Sequence, residues 1–314
     1  METTRDTGAR SRRDIWVTLL LYPGHTLPTA AAPVIVAVGL AVHDHVFAPV
    51  PVIVAFMASW LIHIAGIFVD NHQLLARHPH VPEHPELLDA LNNGTLTLSG
   101  LRWAAIACLA GAILTGPYLL WTVGPPVIAF GVIGVVASLG YSLGGPLSMT
   151  RLGIADPVFF LMFGSVAVAG AYYVQAAAPG ASPAALPLSA WVIGLPVGGL
   201  VTDVLLIDDI RDRAFDAQKG WRTGPVRFGL AWTRTEIVGF IVFAYVMPLW
   251  FWLGLGFSPW VLLTWLTLPE AAAIARTICS TERFEALFPM TPRAAKLALD
   301  YSVLLGIGVA VFTG

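Results

Sequence analysis

Long apolar runs, broken at intervals by a few charged or proline-rich segments, dominate this chain. A membrane-crossing helix needs roughly 20 mainly apolar residues. Nine stretches meet that description: about 15–42, 50–70, 100–120, 123–142, 155–177, 188–207, 235–255, 259–276 and 295–313. The pattern predicts an all-α membrane protein of nine transmembrane helices, a single domain over 1–314 whose residues 1–14 form a basic tail. Pro23, Pro28 and Pro33 should irregularise the first span, and only a short break around Trp121 to Pro125 separates the third from the fourth.

Charge adds an orientation. With the N-terminus in the cytoplasm and the spans alternating from there, all 17 Lys and Arg residues fall on one face, while the outer loops 43–49 and 178–187 have none. That is the positive-inside bias, and it places the protein in the cell membrane with its charged loops in the cytoplasm. The basic start runs into a full-length span, so a cleaved signal peptide is not expected. Cys108 and Cys279 lack any paired spacing and read as packing residues. Asn93-Gly94-Thr95 matches a glycosylation acceptor but falls in a cytoplasmic loop; a net charge of −2 says nothing about partners, and the expected partners are small molecules and the lipid bilayer, with no nucleic acid.

Two loops are longer than the rest, 71–99 and 208–234, and each begins with acidic residues at a helix end: Asp70 beside Asn71, and Asp208 beside Asp209. They lie four spans apart and so share a membrane face, where two similar corners would converge on one mouth. Asp208, Asp212 and Asp216 follow i, i+4, i+8 spacing, which on a continuing helix aligns three carboxylates on one face. Like charges so placed repel. Mg²⁺, which takes one or two carboxylates and fills its remaining positions with water and phosphate oxygen, would relieve that repulsion. Lys219, Arg222 and Arg227 could then hold phosphate oxygens. The same residues also describe a solvated loop in which Arg211 and Arg213 pair with the aspartates. Residues 159–175 add Phe159, Phe160, Phe163, Tyr172 and Tyr173 on a helix rich in small residues. Aromatic faces can stabilise an allylic cation, although the pattern is equally ordinary helix packing.

Four segments, 26–39, 144–175, 208–229 and 290–308, follow in order the pattern of the UbiA superfamily of intramembrane prenyltransferases. They look most like its branch that prenylates 1,4-dihydroxy-2-naphthoate in menaquinone synthesis. The resemblance implies a nine-helix bundle in which two Asp-rich loops hold a polyprenyl diphosphate through Mg²⁺, and an aromatic carbon attacks the allylic cation. The family's second motif falls on Asp208, Asp209, Arg211, Asp212, Asp216, Gly220, Trp221, Arg222 and Thr223. Trp221 stands where a lysine is usual, with Lys219 two positions earlier as its substitute. The first motif departs: it falls on Asp70, Asn71, Leu74 and His78, with the Asn-Asp pair reversed and both later aspartates missing.

Asp70, Asp208, Asp212 and Asp216 are therefore the expected catalytic and Mg²⁺-binding residues. Asn71, Asp209, Arg211, Lys219, Arg222, Phe159, Phe163, Tyr172, Tyr173 and Asp203 are the expected substrate contacts. His72, His78, His80 and His84, with Glu83 and Glu86, raise a transition-metal site, an irregular lid or an acceptor-recognition loop; the intervening prolines oppose helical metal spacing. His63 reads as a satisfied bundle histidine. Asp203, inside a span, is costly unless it faces the bundle interior or a polar pocket; Glu270 and Asp300 are weaker candidates. The reading that follows is a Mg²⁺-dependent transfer from a prenyl diphosphate to an aromatic or quinol-type acceptor. Its rivals are a terpene cyclase of the same superfamily and a non-catalytic relative that binds a prenyl lipid or quinone.

Overall fold

A computed structural model describes residues 14–16, 19, 26–78, 85–144, 148–178 and 186–311. Its elements are helical throughout these residues. We label them α1 (Thr26–His43), α2 (Pro49–Arg77), α3 (Pro85–Asn92), α4 (Leu98–Val123) and α5 (Pro126–Ser142). There follow α6 (Ala155–Ala176), α7 (Leu195–Lys219) and α8 (Leu230–Leu255). A 3₁₀ segment (Pro259–Thr267) leads into α9 (Leu268–Ser280), and the chain closes with α10 (Phe284–Leu287) and α11 (Met290–Ala310).

Among the described residues, six helices are long and apolar enough to cross a membrane: Pro49–Arg77, Leu98–Val123, Ala155–Ala176, Leu188–Lys219, Leu230–Leu255 and Pro259–Ser280. This corrects the expected nine. Leu27–His43 and Pro126–Ser142 are apolar but shorter; a 17-residue helix such as α5 rises only about 26 Å, less than the roughly 30 Å hydrocarbon core. α11 is 21 residues long but opens with Arg293 and Lys296 and carries Asp300. The side assigned to the N-terminus, which rested on counting nine alternations, goes with that count.

α7 is the central post. In the apolar stretch of the span Leu188–Lys219 that α7 completes, 83% of residues are buried, against 11% for α4, whose sides are left for lipid. α7 can sit so deep because Gly198 meets α6 without a side chain: a Cβ there would lie 2.4 Å from the Phe160 carbonyl oxygen and 2.6 Å from Gly164 Cα. Small residues at such crossings bring backbones together where no hydrophobic drive separates protein from lipid. The same contact coincides with a π turn in α6 at Met162–Val166, a local widening often found at working sites.

The break predicted near Trp121 to Pro125 is real. α4 ends at Val123, Gly124 takes φ 83°, which a side chain would resist, and α5 starts at Pro126. α7, by contrast, does not stop near 207 but runs on to Lys219, where Gly220 at φ 71° terminates it. The three spaced aspartates therefore ride one uninterrupted helix. A smaller core joins Ile15 and Leu19 to Phe68 and Leu75 of α2, Leu87 and Ala90 of α3, and Leu101 and Ala105 of α4. Both cysteines are free.

Candidate active site

Asp70 and Asn71, about two turns before the end of α2, and Asp208, Asp209, Arg211, Asp212 and Asp216 on α7 line a single cavity of about 830 Å³. Its volume is in the range of ligand sites. The two acidic corners thus share one mouth. Below them the wall is apolar and aromatic, with Phe56, Phe130, Tyr141, Phe159 and Phe163 among its side chains.

At the mouth the carboxylates are held by named partners. Arg211 forms ion pairs with Asp208 and Asp212, and its Nε donates to Asp212 Oδ1 at 2.9 Å. Its guanidinium lies 5.9 Å from the Phe284 ring and 5.7 Å from the Phe288 ring, so α10 and the residue after it present two adjacent rings to the cation. Thr291 Oγ1 accepts from Arg211 Nη1 at 3.3 Å and donates to Asp208 Oδ1 at 2.5 Å. Asp216 takes Lys219 Nζ at 3.1 Å and the Thr223 hydroxyl at 3.1 Å. The Lys219 ammonium sits 3.6 Å from the centre of the Trp221 ring. The tryptophan in the family's lysine position therefore roofs the substitute lysine.

Among the described residues, no three His, Cys, Asp or Glu side chains are placed to hold a metal ion together. The joint metal cage expected from Asp70, Asp208, Asp212 and Asp216 is not formed. What the mouth offers is separate hard oxygen donors around a space, which suits a cation that completes its shell with phosphate and water.

Several expected substrate contacts lie elsewhere. Tyr172 and Tyr173 do not line the cavity: Tyr172 Oη donates to Asp44 Oδ2 at 2.6 Å, and Tyr173 Oη donates to the Val123 carbonyl at 2.5 Å. The helical period explains this, because Phe159 and Phe163 are continued on their face by Val166, Gly170 and Val174. Asp203 is buried at 4% exposure on the opposite side of α7, with neither carboxylate oxygen hydrogen-bonded. The Arg222 side chain is exposed while its amide donates to the Thr150 carbonyl at 2.9 Å. Lys219 reaches the site through Asp216 rather than by lining the cavity.

Glu270 is engaged by Arg293 at 2.8 Å, and Asp300 by Lys296. Leu74 is buried at 7% exposure and does not line the cavity. His80, Glu83 and His84 lie outside the described residues, so the histidine-loop readings are not addressed by the structure.

Sequence reading missed Tyr141, Thr291, Phe284 and Phe288. Tyr141 lines the cavity within electrostatic reach of Asp209, Asp70, Asp216 and Asp208. A lone phenol near the end of a helix whose other polar side chains are two serines was its signal. Thr291 and the α10 phenylalanines gave none, because their role depends on packing against Arg211.

A lipid-embedded cavity with an acidic and basic mouth above an apolar trunk defines an enzyme for molecules with an anionic head and a hydrocarbon tail. The UbiA prenyltransferase family model matches residues 30–283, and the chain belongs to that family. It is an intramembrane prenyltransferase. The 1,4-dihydroxy-2-naphthoate octaprenyltransferase of Escherichia coli (strain K12) is 27% identical over 315 residues, spanning 95% of this chain and 96% of its own. The protein of the same name from Mycobacterium tuberculosis (strain ATCC 25618 / H37Rv) is 27% identical over 291 residues, spanning 91% and 94%. Among solved structures, an apo UbiA homolog from Aeropyrum pernix K1 aligns with TM-score 0.56 at 18% identity, covering 91% of this chain and 97% of that one. A digeranylgeranylglyceryl phosphate synthase aligns with TM-score 0.58 at 12% identity, covering 95% and 99%. These two share the fold.

Proposed function

We propose that the enzyme transfers a prenyl group from a prenyl diphosphate to a hydroxylated aromatic or quinol-type acceptor, with Mg²⁺ as its cofactor. The observation that carries this reading is the joining of Asp70 and the α7 aspartates at one end of a single apolar, aromatic-lined cavity. A diphosphate head belongs at that mouth and a prenyl tail in the trunk. Bound there, Mg²⁺ would neutralise charge on the departing diphosphate.

The chain's own residues do the rest. Asp208 and Asp212 would supply oxygen ligands, with Asp70 on the wall of the same cavity. Arg211, already paired to Asp208 and Asp212, can turn to phosphate oxygens, while Lys219 acts through Asp216. As the bond between the allylic carbon and oxygen breaks, Tyr141, Phe159 and Phe163 present ring faces to the cation, and the apolar walls exclude water that would capture it. A ring carbon of the acceptor then bonds to the allylic carbon and loses its proton.

The curated relatives' named activity supports a dihydroxynaphthoate-like acceptor. The mouth end also gathers basic side chains: Arg77 beside Gly144, Arg227 beside Gly153, and Arg234 on the Ile278 and Thr281 carbonyls. That bias supports a mouth facing the cytoplasm of the cell membrane.

The test is purified protein in detergent with prenyl diphosphates of several lengths, an acceptor panel and Mg²⁺ or chelator, products read by mass spectrometry. Prenylated acceptor that requires Mg²⁺ is the expected product, and Asp212→Asn should lower its formation by roughly a hundredfold or more with the protein still folded. Products formed without any acceptor would mark a cyclase instead, and wild-type turnover in Asp212→Asn would remove the carboxylate from the chemistry.

A further inference from the structure

Below the carboxylates, two hydroxyls of the cavity wall are satisfied by backbone carbonyls, one on a neighbouring helix and one on its own. Ser138 Oγ donates to the Ile62 carbonyl at 3.1 Å, and Thr115 Oγ1 to the Ala112 carbonyl at 2.7 Å. His63 differs. Its side chain lines the cavity, and its ring nitrogens have no hydrogen-bond partner among the described residues. They are not sealed in the protein either, unlike the oxygens of Asp203. A polar group held in an apolar enclosure is costly unless something bonds to it. The contradiction with a satisfied bundle histidine is resolved if the missing partner is a ligand.

The position of His63 narrows what that ligand is. It lies seven residues before Asp70 on α2, two helical turns, hence on the same face and about 10 Å deeper. Three aromatic rings bridge that interval along the opposing wall. Tyr141 and Phe159 have centroids 5.1 Å apart, Phe159 and Phe163 are 5.5 Å apart, and His63 meets Phe163 edge-on at 6.2 Å and 84°. The frame is rigid at this level: a Cβ on Gly66 would come within 2.5 Å of Ser138 Oγ, so α2 and α5 touch directly beside His63.

We infer that His63 and this aromatic wall form the acceptor subsite, with the imidazole accepting the hydrogen bond of a hydroxyl on a planar aromatic ring. This rests on the transferase reading above. The prenyl donor has its polar atoms in the diphosphate at the mouth and offers His63 nothing but hydrocarbon. A hydroxylated ring lying between mouth and imidazole stacks on the rings, reaches His63 with its hydroxyl, and leaves a ring carbon turned toward the allylic carbon beneath the diphosphate. A ring-activating hydroxyl is thus also what the site recognises.

The experiment measures transfer and, separately, binding of the unprenylated acceptor without donor, for wild type, His63→Gln and His63→Phe. His63→Phe should raise the acceptor KM and weaken acceptor binding at least about tenfold, the scale of one unmatched hydrogen bond, while donor KM and thermal stability hold. His63→Gln retains an acceptor atom and should recover most of the loss. The O-methylated acceptor, which cannot donate, should bind wild type no better than the free acceptor binds His63→Phe. An unchanged acceptor KM in His63→Phe with normal transfer overturns the subsite and leaves the transferase reading standing. Equal changes in donor and acceptor KM also overturn it, as would wild-type binding of the methylated acceptor at full strength. Wild-type protein that transfers to no hydroxylated acceptor overturns both readings together.

Discussion

Asp203 and Asp212 lie on one helix, nine residues apart, and so point in nearly opposite directions. That phase difference puts one carboxylate on the cavity wall and buries the other away from it. Asp212 lines the cavity with Arg211 bound to it. Asp203 is buried, and neither of its oxygens has a hydrogen-bond partner among the described residues. Removing both polar atoms by Asp203→Ala should therefore stabilise the protein by about 1–2 kcal/mol, with turnover unchanged. Thermal unfolding in detergent alongside product formation checks this; a loss of turnover would return Asp203 to the chemistry. At the mouth, by contrast, Thr291 serves both Asp208 and Arg211, so a small hydroxyl far along the chain fixes the pose of two charged groups.

At the scale of elements, site geometry depends on how closely α7 approaches α6. Gly198 sets that distance, since a Cβ there would strike the Phe160 carbonyl oxygen at 2.4 Å. Gly198→Val should push the helices apart, cost about 1–3 kcal/mol, and lower turnover by separating the Phe159 and Phe163 face from the α7 aspartates. Gly239→Val is the control, because on α8 nothing lies within 4 Å of the added atom. Equal loss in both variants would dissociate the crossing from the site.

The α7 aspartates were legible in the sequence because helical period alone aligns i, i+4 and i+8. So was the convergence of Asp70 with them, from the matching loop positions. The span count was not. Apolar runs at α5 and α11 read as full spans, yet α5 is too short and the first turns of α11 carry Arg293 and Lys296. Tyr172 and Tyr173 were grouped with Phe159 and Phe163 by composition, whereas helix phase sends them to Asp44 and to the Val123 carbonyl. Leu74, a metal position in the family's first motif, became core.

Over the whole molecule, the cavity runs along α2 from Ala55 to Asn71. Those 17 residues rise about 24 Å, most of the roughly 30 Å hydrocarbon thickness. The trunk is therefore long enough to keep an extended prenyl chain inside the protein beneath its diphosphate. α5 forms one side of the trunk. Ser138 touches α2 at Ile62, and Gly134, one turn further from the mouth on the same face, lines the cavity with nothing within 4 Å of where a side chain would begin. A bulky residue at Gly134 should occupy the trunk below His63 and leave the mouth intact. Gly134→Trp is expected to lower kcat/KM for long prenyl diphosphates by about tenfold or more, since the tail loses buried apolar contact, while a one-unit prenyl diphosphate reacts as with wild type. Steady-state kinetics across a series of donor lengths with one acceptor gives the answer. A uniform loss at every length would mean that the substitution disturbs the mouth, and no loss at any length would mean that the tail leaves between helices before it reaches α5.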